Sequence, residues 1–334
     1  MSMKLTTMSD IAKEVGVSVM TVSKVLNNKP NVGPVTRQKV LDAAKKLGYK
    51  PNMIAKSMRL NQTKTIGLII SDSSFSFFPS VIKGIEDCAM RNGYSILLCN
   101  TNGDYQAEKE KIELLLNKRV DGLILAASTF VSVEDTEYLK SLGIPFVYAI
   151  RIPVDESVDY VANDNYSGAS MMIDYLVRTG SRKIYFFNMH SASTSALKRL
   201  NGYRKTLEKH GIAYDDEIVY KLDHTIESGY AHAKKLLSYG KDVQTIFCGC
   251  DVIAIGVMEA ILEMGFKIPD DIRVASYDDI ELAQYLQVSL TTVSQPKYEI
   301  GVKSVELLIE RIHNPQKEPQ SIILEPELTI RKST

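Results

Sequence analysis

Residues 7–28 read TMSDIAKEVGVSVMTVSKVLNN, and the spacing within this stretch decides the first domain. Thr7-Met8-Ser9-Asp10 has the form of a capping box, in which the Thr hydroxyl and the Asp carboxylate each accept a backbone N–H that the first helical turn leaves free. Met8, Ile11, Ala12 and Val15 then recur at helical spacing and make one apolar face. Gly16 is suited to end that helix in the left-handed conformation. Val17 fills the turn, and Ser18 can cap a second helix from Val19 to about Leu26. In that helix Val22, Val25 and Leu26 face inward, while Met20, Ser23 and Lys24 face outward; Asn27 and Asn28 stop it. Gly33-Pro34 opens a third helix whose inner stripe is Val40, Ala44 and Leu47, with Gly48 at its end. Helix, short glycine-bearing turn, helix and supporting helix make a helix-turn-helix domain. Any three-helix mini-domain shows the same stripes; turn length, charge and position favour DNA.

Charge sets this head apart from the rest. Up to Leu60 there are nine Lys and two Arg against Asp10, Glu14 and Asp42, an excess of eight positive charges inside a chain of 334 residues whose formal net charge is zero. The remainder is acidic by the same amount, so only the head is suited to a polyanion; a solvated basic surface is the plainer reading. The N-terminal residues lack the apolar core of a signal peptide. No apolar run reaches the length of a membrane span. Cys88, Cys99, Cys248 and Cys250 form no Cys-x-x-Cys pair. These features imply a cytoplasmic protein with reduced, mostly buried thiols and no structural metal.

From Thr65 onward, apolar runs alternate with helical segments. Ile66–Ile70, Ser95–Cys99, Gly122–Leu125, Phe146–Tyr148, Ile184–Phe187, Thr245–Phe247 and Val274–Tyr277 read as strands buried on both faces. They are too many for one compact sheet, so two lobes are expected.

The head resembles the lactose-repressor (LacI/GalR) family through Asp10-Ile11-Ala12-Lys13-Glu14-Val15-Gly16-Val17-Ser18 and Thr21-Val22-Ser23-Lys24-Val25-Leu26-Asn27. Gly48-Tyr49-Lys50-Pro51-Asn52 and Ala55-Lys56-Ser57 extend the likeness. The resemblance implies that Val19, Met20 and Lys24 meet base edges, and that Ser18, Thr21, Ser23 and Asn27 contact phosphates or cap. Lys24 can donate to guanine; Val19 and Met20 can only touch thymine methyls or exclude water. It implies a hinge helix over 51–62, too short to be stable alone, with Asn52, Ala55, Lys56 and Met58 at the DNA. Met58 there acts as an apolar wedge in the minor groove. It implies a symmetric homodimer on a near-palindromic double-stranded operator. With no heptad helix after Glu327–Ile330, a tetramer is not expected.

For residues 63–334 the resemblance implies the periplasmic sugar-binding-protein fold. It has two doubly wound parallel lobes, 63–162 with 290–324 and 163–289 with 325–334, following an all-α head over 1–50. Ligands in such folds sit at the carboxyl ends of the strands. The residues placed there are Asp72, Phe77, Phe78, Arg151, Arg199, His224, Asp251 and Asp278. Phe77 and Phe78 could stack on a ligand or pack the lobe. Asp251 and Asp278 could bind or merely cap. The carboxylate that often precedes the ligand Arg of the family is Ile150 here, which tilts the expected effector from a neutral sugar toward a sugar acid or sugar phosphate. No cofactor is implied. No nucleophile elbow, zinc-protease motif, phosphate loop or dinucleotide fingerprint occurs, so the chain does not read as an enzyme. The reading is a ligand-responsive repressor, relieved by its effector. Two alternatives stay open: a catabolite-control regulator with a phosphoprotein co-signal, which Gln295–Gly301 resembles, and a sugar-binding protein without a DNA role.

Overall fold

The structure is a computed structural model and describes residues 6–49, 62–155, 157–189, 193–239 and 243–334. These fall into two compact units on either side of Thr63 and Lys64. In the first, α1 (Met8–Val15), α2 (Val19–Leu26) and α3 (Pro34–Lys46) surround a core of Ile11, Ala12, Val22, Val25, Val40, Ala43 and Ala44. The capping box is formed: the Thr7 N–H donates to the Asp10 carboxylate at 2.8 Å and the Asp10 N–H to the Thr7 hydroxyl at 3.3 Å. Gly16 takes φ 71°, and Ser18 Oγ accepts the Thr21 N–H at 3.1 Å. Local groups thus satisfy the start of α1 and the two helix ends that bracket the turn.

The second unit is two six-stranded sheets. Numbered in chain order, the first holds β1 (Thr65–Ile70), β2 (Ser95–Asn100), β3 (Gly122–Ala126), β4 (Phe146–Ile150), β5 (Tyr160–Asn163) and β11 (Ser321–Leu324), arranged β11-β5-β4-β3-β1-β2 and parallel throughout. The second holds β6 (Ile184–Met189), β7 (Val219–Leu222), β8 (Thr245–Cys248), β9 (Arg273–Asp278), β10 (Thr291–Ser294) and β12 (Glu327–Thr329). Their order is β12-β10-β9-β8-β6-β7, parallel except that β12 runs against β10. Each sheet has an apolar cluster on both faces, which is why the strands read as continuous apolar runs. Edge strand β2 is the exception, with Leu97 and Leu98 exposed.

The chain crosses between lobes after β5, after β10 and after β11. The second crossing falls later than the boundary at residue 290 expected from sequence. Thr291–Ser294 pairs with β9 in the second sheet, and only the helix Lys297–His313 returns to pack on the first lobe, through Ile300, Val305, Leu307 and Leu308. The strand, Thr291-Thr292-Val293-Ser294, is short and mostly polar, so it lacks the continuous apolar run by which other strands are read.

Close helix approach in the second lobe depends on Gly229 and Gly256. A Cβ on Gly256 would meet the Ile226 carbonyl, and one on Gly229 the Ile253 carbonyl. Cys248 and Cys250 are buried, Cys248 closing β8 and Cys250 preceding the helix Asp251–Glu263. Among the described residues no helix is long and apolar enough to cross a membrane.

Candidate functional site

On the head, the inward face of α2 is consumed by the core, and Val19 and Met20 project from its start, 47% and 68% exposed. Lys24 is exposed one turn further on. Ser18 and Thr21 join hydroxyls at 2.9 Å, and Asn27 Nδ2 donates to the Ser23 carbonyl at 2.8 Å, so these side chains shape both ends of the helix. Asn52, Ala55, Lys56 and Met58 lie outside the described residues.

In the second unit a cavity of about 520 Å³ lies where the carboxyl ends of both sheets meet. That volume suits a small organic ligand. The first lobe contributes Ser71, Asp72, Phe75 and Phe77 from the loop after β1, Asn102 and Gly103 after β2, Ala127 after β3, and Ile150 and Arg151 at the end of β4. The second contributes Met189, the helix start at Ser193, Ser195 and Arg199, then His224, Asp278 and Gln295. Of the residues singled out from sequence, Asp72, Phe77, Phe78, Arg151, Arg199, His224 and Asp278 border this cavity. Phe78 does so from within the first-lobe core, 4% exposed and edge-on to Phe77 with centroids 5.7 Å apart.

Asp251 is elsewhere. It is 0% exposed, and its carboxylate accepts the Ile280 N–H at 2.8 Å and the Thr292 hydroxyl at 2.7 Å. It ties the start of its helix to β10 and to the loop after β9, so the effector contact expected from sequence is corrected to a buried brace. Burial, reinforced by the nearby Asp278, pushes its pKa up to about 7.

The second-lobe wall is heavily cross-linked. Arg199 donates from Nε to Asn165 Oδ1 at 2.8 Å and from Nη1 to the Gly249 carbonyl. Its Nη2 lies 3.3 Å from Asp278, and its guanidinium rests 3.8 Å over the Tyr277 ring. Asp278 also accepts Gln295 Nε2 at 2.5 Å. Lys297 Nζ donates to the carbonyls of Asp278 and Asp279, which hold φ of 113° and 49°. Such backbone is costly away from glycine and persists where surrounding bonds over-determine it.

His224 stands against Phe75, ring centroids 5.0 Å apart, and its Nε2 is buried with no hydrogen-bond partner among the described residues. Burial lowers its pKa; Asp278 opposes that shift and Arg199 adds to it. One ligand-type atom each of His224, Cys250 and Asp278 fall within 4.8 Å of one another. Burial raises the Cys250 thiol and Arg199 already neutralises Asp278, so the trio is better suited to hydrogen bonding an organic ligand than to holding a cation.

The first-lobe wall is sparser. Arg151 Nη1 donates to the Ser128 carbonyl at 2.6 Å, and that loop is held by Glu108, which accepts the Thr129 N–H at 2.8 Å and its hydroxyl at 2.6 Å. Among the described residues no carboxylate lies within ion-pair distance of Arg151. Burial lowers its pKa, with Glu108 opposing from further off. Ile150 beside it has φ 76°, a rare conformation for a β-branched side chain. Phe75, Asn102, Met189 and Gln295 were not singled out from sequence. All but Phe75 lie at or just after strand ends, so applying the strand-end rule to every strand read from sequence would have reached Asn102 after β2 and Met189 at the end of β6, but not Gln295, because β10 was not among those strands.

Both units have counterparts among known proteins. The family described as "Bacterial regulatory proteins, lacI family" matches residues 7–52, and "Periplasmic binding proteins and sugar binding domain of LacI family" matches residues 63–332. The chain is 34% identical to the HTH-type transcriptional repressor PurR of Mannheimia succiniciproducens over 330 residues, 98% of each. It is 35% identical to the ribose operon repressor of Escherichia coli over 98% of this chain and 100% of that one. Among solved structures, the lac repressor dimer bound to operator and the anti-inducer ONPF superposes with a TM-score of 0.90 at 26% identity, covering 99% of both chains.

Proposed function

The chain belongs to the LacI family of bacterial regulatory proteins, ligand-responsive DNA-binding repressors of transcription, and from that premise we propose how its parts divide the work. Val19, Met20 and Lys24 read base edges of a near-palindromic operator in the major groove, and the backbone there is held by the Ser18–Thr21 and Asn27–Ser23 caps. The single observation that supports this is α2 itself: one face is spent on the core, and the other leaves two apolar side chains and one cation in solvent. A lysine on such a helix discriminates guanine by about 1–3 kcal/mol.

The effector is a small hydroxylated molecule, a sugar or sugar derivative, held between the two lobes. The chain acts in the cytoplasm as a homodimer. Exposed Leu97 and Leu98 on edge strand β2, with Met90 at 68% exposure on the preceding helix, offer an apolar face for a second copy. Effector binding changes the pose of the lobes and so releases the operator, because a ligand shifts an equilibrium only by its differential affinity for the two states.

Selection of genomic fragments on the full chain, followed by anisotropy titration, tests the DNA assignment. Lys24→Ala should reduce operator affinity roughly tenfold or more while leaving random-sequence DNA within about twofold. Equal losses on both would remove Lys24 from base reading.

A further inference from the structure

Two guanidiniums border the cavity, and among the described residues only one of them has an ion-pair partner. A guanidinium has five N–H donors in a planar fork. Three of those of Arg199 are directed at Asn165, Gly249 and Asp278, and its face is covered by Tyr277. Arg151 makes one described hydrogen bond, to the neutral Ser128 carbonyl, and the residue beside it on the wall is Ile150. An isolated charge taken out of water is costly unless it is paired, and an apolar neighbour strengthens whatever pairing it finds. The remaining first-lobe carboxylate on the cavity, Asp72, stands after β1. Strand β3 lies between β1 and β4, so the two strand ends are separated by two strand spacings, roughly 10 Å. That is about the length of a small sugar derivative, with the carboxylate of Asp72 at one end and the guanidinium that lacks an ion-pair partner at the other.

Resting on the reading that the effector occupies this cavity, we infer that the effector carries an acidic group, a carboxylate or a phosphate, and that Arg151 alone receives it while Arg199 and Asp278 hold the hydroxylated ring. A planar guanidinium can take two oxygens of either group side by side, which a lysine cannot. His224 Nε2, buried and unpartnered, supplies a neutral hydrogen-bonding atom on the opposite wall.

Calorimetry on the full chain would compare matched probes: ribose with ribose 5-phosphate, and glucose with glucuronate and glucose 6-phosphate. An acidic member should bind at least tenfold more tightly than its neutral parent. The carboxylate and phosphate arms identify which acid it is. Arg151→Met should remove ten- to hundredfold of the acidic probe's affinity and leave the neutral probe within about twofold; Arg151→Lys should recover part of the loss. Neutral sugars binding as tightly as acidic ones, or Arg151→Met weakening both alike, overturns the inference and leaves the cavity as an effector site. Failure of every probe, neutral and acidic, to bind or to raise the melting temperature counts against the effector reading itself and takes the inference with it.

Discussion

The two walls of the cavity are built on opposite plans. On the second lobe, Arg199, Asp278, Gln295 and Lys297 satisfy one another before any ligand arrives, and they hold a stretch of costly backbone in place. On the first lobe, Arg151 is aimed at the same space with a single carbonyl to answer it. A completed network fixes shape and sacrifices little on binding, whereas an incomplete one derives its energy from what binds. The difference separates residues that position a ligand from the residue that selects it. Substitutions that exchange stability for selectivity should sort along the same line.

The largest effect is expected at Arg199. Its removal leaves Asp278, which is 5% exposed, without its ion-pair partner, its charge stabilised by the Gln295 amide and by the Lys297 ammonium that sits on its backbone carbonyl. Breaking one side of a buried ion pair costs about 3–5 kcal/mol. For a unit of this size that is a melting-temperature fall of roughly 10 °C. Arg199→Met examined by calorimetric melting without ligand should show it. A change of less than about 2 °C would mean the second-lobe wall is not preassembled, and the comparison would lose its basis.

How much of this could be read in the chain varies with the range of the interactions. The head was legible nearly residue by residue, since the Thr7 box, the Gly16 stop and the Ser18 cap are contacts within four positions. The two-lobe fold was legible because strands buried on both faces are apolar throughout. Strand β10, by contrast, gave no signal, and the lobe boundary was set too early. At the site, the family resemblance together with strand-end position found Asp72, Arg151 and Asp278 but could not tell a carboxylate facing the cavity from one facing away. Asp251 and Asp278 both follow strands; only tertiary contacts with Ile280 and Thr292 show that Asp251 turns inward. Likewise the two arginines were equivalent in sequence, and their inequality depends on Asn165, Gly249 and Tyr277, which lie far from Arg199 along the chain.

Asp251 gives an intermediate effect with a pH signature. Its native pKa, near 7, lies above its ordinary value of 3.8. The native state therefore holds this proton more tightly than the unfolded chain does. The stabilisation is complete below about pH 4, declines as pH rises, and is gone above about pH 7. Asp251→Asn keeps the shape, cannot ionise, and loses one acceptor toward Ile280 or Thr292, at a cost of about 1–2 kcal/mol. Melting of both proteins from pH 5 to pH 8 should therefore show the wild type losing stability relative to the variant as pH rises until it falls below it, because the wild type alone loses stability to ionisation and that loss exceeds the cost of the substitution. A difference that stays constant would mean the carboxylate does not titrate in this range and that its role is hydrogen bonding only.

The smallest effect on stability, and the sharpest for the comparison, is expected at Arg151. Replacing it with Met removes one hydrogen bond to Ser128 and also removes a cation held out of water with only the more distant Glu108 opposing its charge. The two changes oppose each other. Exchanging a poorly compensated buried charge for a hydrophobe is often neutral or stabilising, so the melting temperature of the unliganded variant should stay within about 1 kcal/mol equivalent of wild type. The ligand response should not. Saturating ligand stabilises a native state by about 2.7 kcal/mol at a hundredfold excess over Kd, and a tenfold loss of affinity halves that at the same concentration. Arg199→Met and Arg151→Met should thus be mirror images, one damaging the protein before ligand arrives and the other leaving the protein intact but unable to select. If Arg151→Met lowers unliganded stability as far as Arg199→Met does, Arg151 belongs to the scaffold, and the two walls follow one plan.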